Sequence, residues 1–172
     1  MGNTAQPSSP SNLTGAYADV GTRTLRQLQT FNFPQTITSA TTVAIANTIP
    51  QRTQGDEIYG WYFTPYSTQS IIEVEFVLNV YVPNQGYLAL FNDYQNDAMV
   101  TFPLLAPSGF AMVIPVMFNH YFQPLQAGVA TRFSIRSAPT ASTLVFNYYA
   151  YGYRNVSRVT MKEWSSLSLQ NN

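Results

Sequence analysis

Hydrophobic and polar residues alternate along much of this chain with a period of two, which is the period of a β-strand. The clearest case is residues 71–82, in which every second residue from Ile72 to Val80 is apolar and Glu73 and Glu75 fall on the opposite side. No segment shows a sustained 3.6-residue period bounded by helix caps. The pattern therefore predicts an all-β protein.

Turn-forming residues divide this pattern into eight to ten predicted strands. Besides residues 71–82, the predicted strands are 58–64, 87–92, 98–102, 110–122, 129–136, 144–153 and 156–164, with weaker alternation from residue 36 onwards. Pro115 lies inside one of them, which predicts a sheet edge or a bend because proline cannot donate a ladder hydrogen bond. The spacing of strands and turns is typical of a β-sandwich, and the long strands favour a jelly roll or a related Greek-key sandwich.

The N-terminal part of the chain has a different composition. Residues 1–20 are mostly small and polar, and they lack the apolar content needed to fold alone. We predict an extended polar arm over residues 1–35 and a jelly-roll domain over residues 36–172. Residues 22–28 could form a short strand or one helical turn. The predicted anchor of the arm consists of Arg23, Leu25, Arg26 and Leu28.

The composition restricts the class of partner. Only 9% of the residues are charged, against about 25% in an ordinary soluble domain, while 15% are aromatic and the formal net charge is zero. Interface cores are depleted in charge and enriched in Tyr, Phe and Met. We therefore expect the chain to contact other protein surfaces as part of a symmetric assembly. Without a basic stripe or a long apolar run, we expect neither a nucleic acid nor a membrane as partner. Cysteine is absent, which excludes disulfides and thiolate chemistry.

Four short motifs follow one another in an order found in a module of phage virion proteins. They are residues 54–76, with the pattern G-D-x-I…F-T-P-x-S, residues 88–93 (LALFND), residues 127–136 (AGVATRFSIR) and residues 152–163, which end in Glu. The region over residues 50–164 resembles the trimeric jelly-roll domains of phage decoration, head-fibre and tail-fibre proteins, which are similar to the tumour-necrosis-factor and C1q folds.

The resemblance implies a homotrimer with a structural role on the outer surface of a virion, synthesised in the host cytoplasm. The expected function is capsid decoration or cement on the head surface, with the N-terminal arm bound to other virion proteins and above all to the major capsid protein. The alternative is the receptor-binding tip of a tail or head fibre, which would bind a host receptor or glycan. The absence of heptads or shaft repeats before the module favours decoration.

The candidate catalytic residues are few. Glu73 and Glu75 share one strand face and could act as paired carboxylates, but strand alternation alone produces such pairs, and a stripe with Arg partners is favoured. His120 is the only histidine, so a Cys/His zinc site is excluded, and no nucleophile-elbow motif supports a Ser/His/Asp triad. We therefore expect no enzyme activity, no catalytic residue and no cofactor.

Two further clusters could bind something. Asn92, Asp93, Asn96 and Asp97 offer oxygen ligands of the kind calcium prefers, but turns use the same residues, so a turn is favoured and no metal site is predicted. Tyr149, Tyr151 and Tyr153 lie on one face of a predicted strand. They could stack on sugars as a receptor contact, or they could line a trimer interface or fill the core, and burial is favoured because large aromatics dominate cores and interfaces.

Overall fold

The structure is a computed structural model that describes residues 23–43, 48–106, 112–148 and 156–165. Within these residues there are ten β-strands and no helix, so the predicted all-β class is confirmed. The strands are β1 (Leu25–Phe33), β2 (Ile37–Ser39), β3 (Asp56–Phe63), β4 (Ile71–Val82), β5 (Gly86–Asn92), β6 (Val100–Leu104), β7 (Met112–Phe122), β8 (Thr131–Pro139), β9 (Leu144–Phe146) and β10 (Ser157–Trp164).

The strands form two antiparallel sheets, an arrangement consistent with a β-sandwich. In the six-stranded sheet, β4 pairs along one side with β7 and along the other with β10 and then β9. Strand β1 continues this sheet beyond β10, and β2 continues it beyond β9. The four-stranded sheet has the order β3-β8-β5-β6.

The core lies between the two sheets and follows directly from the alternation. The core-facing residues of β4, from Ile72 to Val82, are fully buried, as the pattern predicts. Trp61 of β3 reaches across the core: its ring lies 6.1 Å from those of Phe76 and Phe133, and its Nε1 donates a hydrogen bond to Met161 Sδ at 2.9 Å. Each large apolar side chain buried here stabilises the fold by about 1.5–3 kcal/mol.

Strand β7 is an edge strand, as Pro115 predicts. Among the described residues β7 pairs only with β4, and Pro115 lies opposite Asn79. An edge position tolerates proline because the missing N–H breaks no ladder on the open side. Pro103 lies in β6, which is one of the two edge strands of the other sheet, so proline interrupts the donor row of β7 and of β6. This limits edge-to-edge pairing with other chains.

Asn147 joins four segments of the chain at the point where β9 ends. Its Nδ2 donates to the carbonyl oxygens of Phe33 and Gln35 and to the Tyr59 hydroxyl, and its Oδ1 accepts from the backbone N–H and the hydroxyl of Ser157. Burial raises the pKa of Tyr59 to about 12. These hydrogen bonds of the buried amide hold the connection between β1 and β2 next to the end of β9 and the start of β10.

Two predicted boundaries are corrected. Residues 25–33, placed in the N-terminal arm, form β1, because Phe31 and Phe33 point inward and pack against the core while the strand pairs along β10. The arm prediction now concerns only residues 1–22, which lie outside the described residues. The strand predicted from residue 144 ends at Phe146, because the next residue, Asn147, has a left-handed φ of 53°.

Candidate functional site

The candidate site is the outer face of the six-stranded sheet, which we call the β4 face. Residues that pair across antiparallel strands point to the same side, so the register assigns to this face every residue opposite Glu73, Glu75 and Val77. The face comprises Met117, Asn119 and Tyr121 of β7, Glu73, Glu75 and Val77 of β4, Arg158, Thr160, Lys162 and Trp164 of β10, and Leu28, Thr30 and Asn32 of β1.

Glu73 lies at the centre of a hydrogen-bonded cluster on this face. Its carboxylate accepts from Trp164 Nε1 at 2.9 Å, from Tyr121 Oη and Asn119 Nδ2 at 3.3 Å each, and from Lys162 Nζ at 3.4 Å. The side chain is only 9% exposed although it points away from the core. Four donors engage the carboxylate, so this arrangement holds it in place and does not present it to a substrate.

Lys162 links the two carboxylates that the sequence places on one strand face. Its Nζ lies 2.9 Å from Glu75 Oε2, and the hydrogen bond to Glu75 is the main cause that raises the pKa of Lys162, with Glu73 contributing further. The structure confirms that Glu73 and Glu75 share a face, since both lie opposite outward-facing residues of β10. The basic partner is a lysine, where an arginine was expected.

Large apolar side chains surround this cluster and are open to solvent. Met117 is 71% exposed, Leu28 54% and Tyr121 53%. At the end of the face where β4 finishes, Tyr81 stacks on Tyr148 with ring centroids 4.8 Å apart. Large exposed apolar side chains grouped on one sheet face are typical of a protein contact surface.

The predicted anchor of the arm lies at one margin of the β4 face. Leu25, Arg26 and Leu28 are among the first four residues of β1, and Arg23 lies two residues before the strand. All four side chains are exposed. They are therefore open to a partner, and their role as an anchor stays a prediction.

The corner over residues 92–97 uses its oxygen atoms in contacts within the protein. Asn92 Oδ1 accepts from the N–H of Tyr94, Asp93 pairs with Arg52 at 3.2 Å, and Asp97 Oδ1 accepts from Gln51 Nε2 at 2.6 Å. These contacts agree with the turn interpretation. No group of three or more His, Cys, Asp or Glu side chains that could hold a metal ion occurs among the described residues.

His120 lies on the inward side of β7 and lines a cavity at one end of the sandwich. Its ring stacks beside that of Phe122 at 6.2 Å, and burial lowers its pKa. Neither a carboxylate nor a serine that could complete a triad is among the residues that line this cavity. Tyr149, Tyr151 and Tyr153 fall outside the described residues, so their predicted contacts remain predictions.

Glu163 is a buried carboxylate that was not among the sequence candidates. It is fully buried, and it accepts hydrogen bonds from the backbone N–H groups of Tyr66 at 3.0 Å and Ser67 at 3.2 Å. It therefore holds the loop between β3 and β4 against the end of β10. The alternation Val159, Met161, Glu163 places the carboxylate on the core side and could have indicated this role.

No family model matches the chain, and no curated protein sequence matches it. The part of the chain that the structure describes contains no helix that is long and apolar enough to cross a membrane.

Proposed function

We propose that this chain is a structural protein of a phage virion, a homotrimeric jelly roll that decorates and cements the capsid on the head surface. The observation that carries the proposal is the β4 face, an exposed sheet surface with large apolar side chains on which Glu73 and Glu75 are both paired with Lys162. Pairing with Lys162 reduces the cost of taking these two carboxylates out of water when the face meets another protein.

The strand order supports a jelly roll. From β3 onwards the chain passes repeatedly between the two sheets, which places β8 between β3 and β5 and places β10 between β1 and β4. Neighbouring strands that are distant in sequence are the mark of Greek-key connections, and two such keys form a jelly roll.

Contacts between distant motifs support the resemblance to phage virion modules. Tyr66 and Ser67 belong to the first of the four motifs and Glu163 to the last, and the carboxylate of Glu163 binds the backbone N–H groups of both. Arg136, which ends the third motif, donates to the carbonyl oxygens of Gln54 and Gly55 at the start of the first. The second motif pairs with the third along β5 and β8, so all four motifs meet in space.

The proposed trimer buries the β4 face against its symmetry mates. A standard interface buries about 800 Å² on each partner, and exposed Met and Tyr side chains such as Met117 and Tyr121 are suited to its centre. Residues before β1 would then reach the capsid from the margin of the face where Arg23, Leu25, Arg26 and Leu28 lie.

A receptor-binding fibre tip is the second candidate. The observation that favours it is the cavity beside His120, because ligand-binding sites are concave and combine apolar walls with a few polar groups.

Three measurements test the proposal. Light scattering at micromolar concentration should give about three times 19.2 kDa, and a monomer would contradict the trimer. Quantitative labelling of particles should find many copies spread over the head, whereas a few copies at fibre ends would favour the receptor-binding tip. Attachment should also survive a wash in molar sodium chloride, where the Debye length is about 3 Å, because only 9% of the residues of the chain are charged.

A further inference from the structure

A cavity of about 240 Å³ opens at the end of the sandwich where β5 and β7 finish and β8 begins. Its apolar walls include Tyr94, Met99, Phe122 and Leu125, and Phe133 lies at its base towards the core. The volume is smaller than the range of about 300–1,000 Å³ for drug-sized ligands, so the cavity fits one small ring.

The polar part of the lining has unused hydrogen-bonding capacity. The lining has three side-chain amides and one imidazole, and both kinds of neutral group can donate and accept hydrogen bonds. The amides belong to Asn92, Gln95 and Gln123, and the imidazole belongs to His120. Within the described residues, the side chains of these four make a single hydrogen bond, from the N–H of Tyr94 to Asn92 Oδ1. The remaining donors and acceptors are available to a ligand.

The lining carries no formal charge, since Asp, Glu, Lys and Arg are all absent from the residues around the cavity. An ionic ligand would find no counter-charge there and would pay for its desolvation. A wholly apolar ligand would leave the amides unpaired, which also costs free energy. The ligand that fits is neutral, bears several hydroxyl groups and has an apolar ring face that can lie against an aromatic side chain.

Tyr94 is held in place before any ligand arrives. Its hydroxyl accepts from Thr131 Oγ1 at 3.1 Å and donates to Gln126 Oε1 at 3.2 Å. These bonds tie the corner after β5 to the loop before β8 and to the first residue of β8. An aromatic wall fixed in this way loses little conformational freedom on binding.

We propose that this cavity binds one neutral sugar unit of a saccharide, with Tyr94 against the ring face and with His120, Gln95 and Gln123 at its hydroxyl groups. The proposal rests on the cavity alone and does not depend on the virion role, because the lining residues all come from one chain.

The test is saturation-transfer NMR with the full chain and a panel of methyl hexosides, N-acetylhexosamines, uronic acids and nucleosides. At least one neutral sugar should receive saturation at millimolar concentration, and uronic acids should bind more weakly. Tyr94→Ala should weaken this binding at least tenfold, whereas Tyr94→Phe should retain most of it. The matched control is Tyr62→Ala, which removes a tyrosine that is 61% exposed on another surface and should leave binding unchanged.

The proposal is overturned if no neutral sugar binds at millimolar concentration, or if nucleosides or uronic acids bind better than neutral sugars. It is also overturned if Tyr94→Ala binds as tightly as the unchanged protein. Should Tyr94→Ala fail to fold, as judged by its circular dichroism, the double variant Gln95→Ala with Gln123→Ala replaces it. Both of those side chains are exposed, so their removal tests the hydrogen bonds without disturbing the core.

Discussion

The two outer faces of the sandwich differ in how they are covered and in how their charges are arranged. On the four-stranded sheet, Phe91 and Ala89 point outward and yet are only 1% exposed. The chain itself covers this side, since the carbonyl of Pro50 accepts from the N–H of Ala98 and Gln51 bridges to Asp97. On the β4 face, by contrast, Met117 is 71% exposed.

Ion pairs occur on both sides of the sandwich, and Glu73 on the β4 face is the most buried of the paired carboxylates. Beside the four-stranded sheet, Glu57 pairs with Arg132 and Arg136, and Arg52 pairs with Asp93, all in partly exposed positions. The hydrogen bond to Glu57 is the main cause that raises the pKa of Arg132. These pairs lie in water, where each contributes roughly 0–1 kcal/mol. The four-stranded side is thus covered in part by its own chain and carries ion pairs open to water, whereas the β4 face leaves large apolar side chains such as Met117 and Leu28 exposed, and we infer that this is the face that meets a partner.

The largest expected effect comes from removing β1, which borders the β4 face. Deleting residues 1–33 removes the strand together with Phe33, whose ring stacks on Tyr59 at 4.3 Å, and Phe31, whose ring lies 6.1 Å from Trp61. Each lost aromatic side chain costs about 3–5 kcal/mol, so this truncated protein should fail to fold. Deleting only residues 1–22 should leave the far-UV spectrum and the urea midpoint unchanged. Equal stability of the two truncations would show that β1 is not part of the folded sandwich.

The next effect concerns assembly. Met117→Lys places one positive charge per protomer, and so three per trimer, in the proposed interface. Light scattering at micromolar concentration should then show no trimer, since one central anchor contributes about 2 kcal/mol or more to binding. The control is Tyr62→Lys, because Tyr62 is 61% exposed on the four-stranded sheet and should tolerate the change. If Tyr62→Lys dissociates the trimer and Met117→Lys does not, the two faces have been assigned the wrong way round.

A third prediction compares one carboxylate from each face. Glu73→Ala leaves Trp164 Nε1, Tyr121 and Asn119 without their shared acceptor, so it should lower the free energy of unfolding by about 2–4 kcal/mol. Glu57→Ala removes only partly exposed ion pairs and should cost about 1 kcal/mol or less. Urea unfolding of both variants measures the difference. Equal losses would mean that the Glu73 cluster contributes no more than a surface ion pair.

The smallest predicted effect concerns Asp56, the first residue of β3. Asp56 accepts hydrogen bonds from the backbone N–H groups of Ala40 and Thr41 at 2.7 and 2.8 Å and from the Thr41 hydroxyl. Burial alone would raise the pKa of Asp56, but these hydrogen bonds lower it below its ordinary value of 3.8.

A lowered carboxyl pKa in the folded state stabilises the protein above the unfolded pKa, and this contribution is lost as the pH falls through the folded value. Asp56→Asn should therefore cost about 1 kcal/mol at pH 7, and the difference should shrink as the pH falls below about 4. Urea midpoints measured at both pH values test this. A deficit of constant size would show that Asp56 acts through its shape and not through its charge.

Much of the fold could be predicted because strand alternation is a local property. Strand β4 was predicted to the residue, since a sheet with one face on the core requires an apolar residue at every second position. The run LALFN in β5 does not alternate, which is the pattern of a strand buried on both sides, and the covered position of Phe91 accounts for it.

The candidate site depended on pairings that the local pattern does not contain. Glu73 and Glu75 were expected on one face, but their cluster requires Lys162 and Trp164, which are 87 residues from Glu75 and 91 residues from Glu73 in sequence, to lie beside them. Phe31 and Phe33 alone were too short a signal to reveal β1, whose place is decided by pairing with β10. Alternation along one strand determines which residues face the core, while long-range pairing between strands decides which side chains meet, and only the tertiary structure shows that.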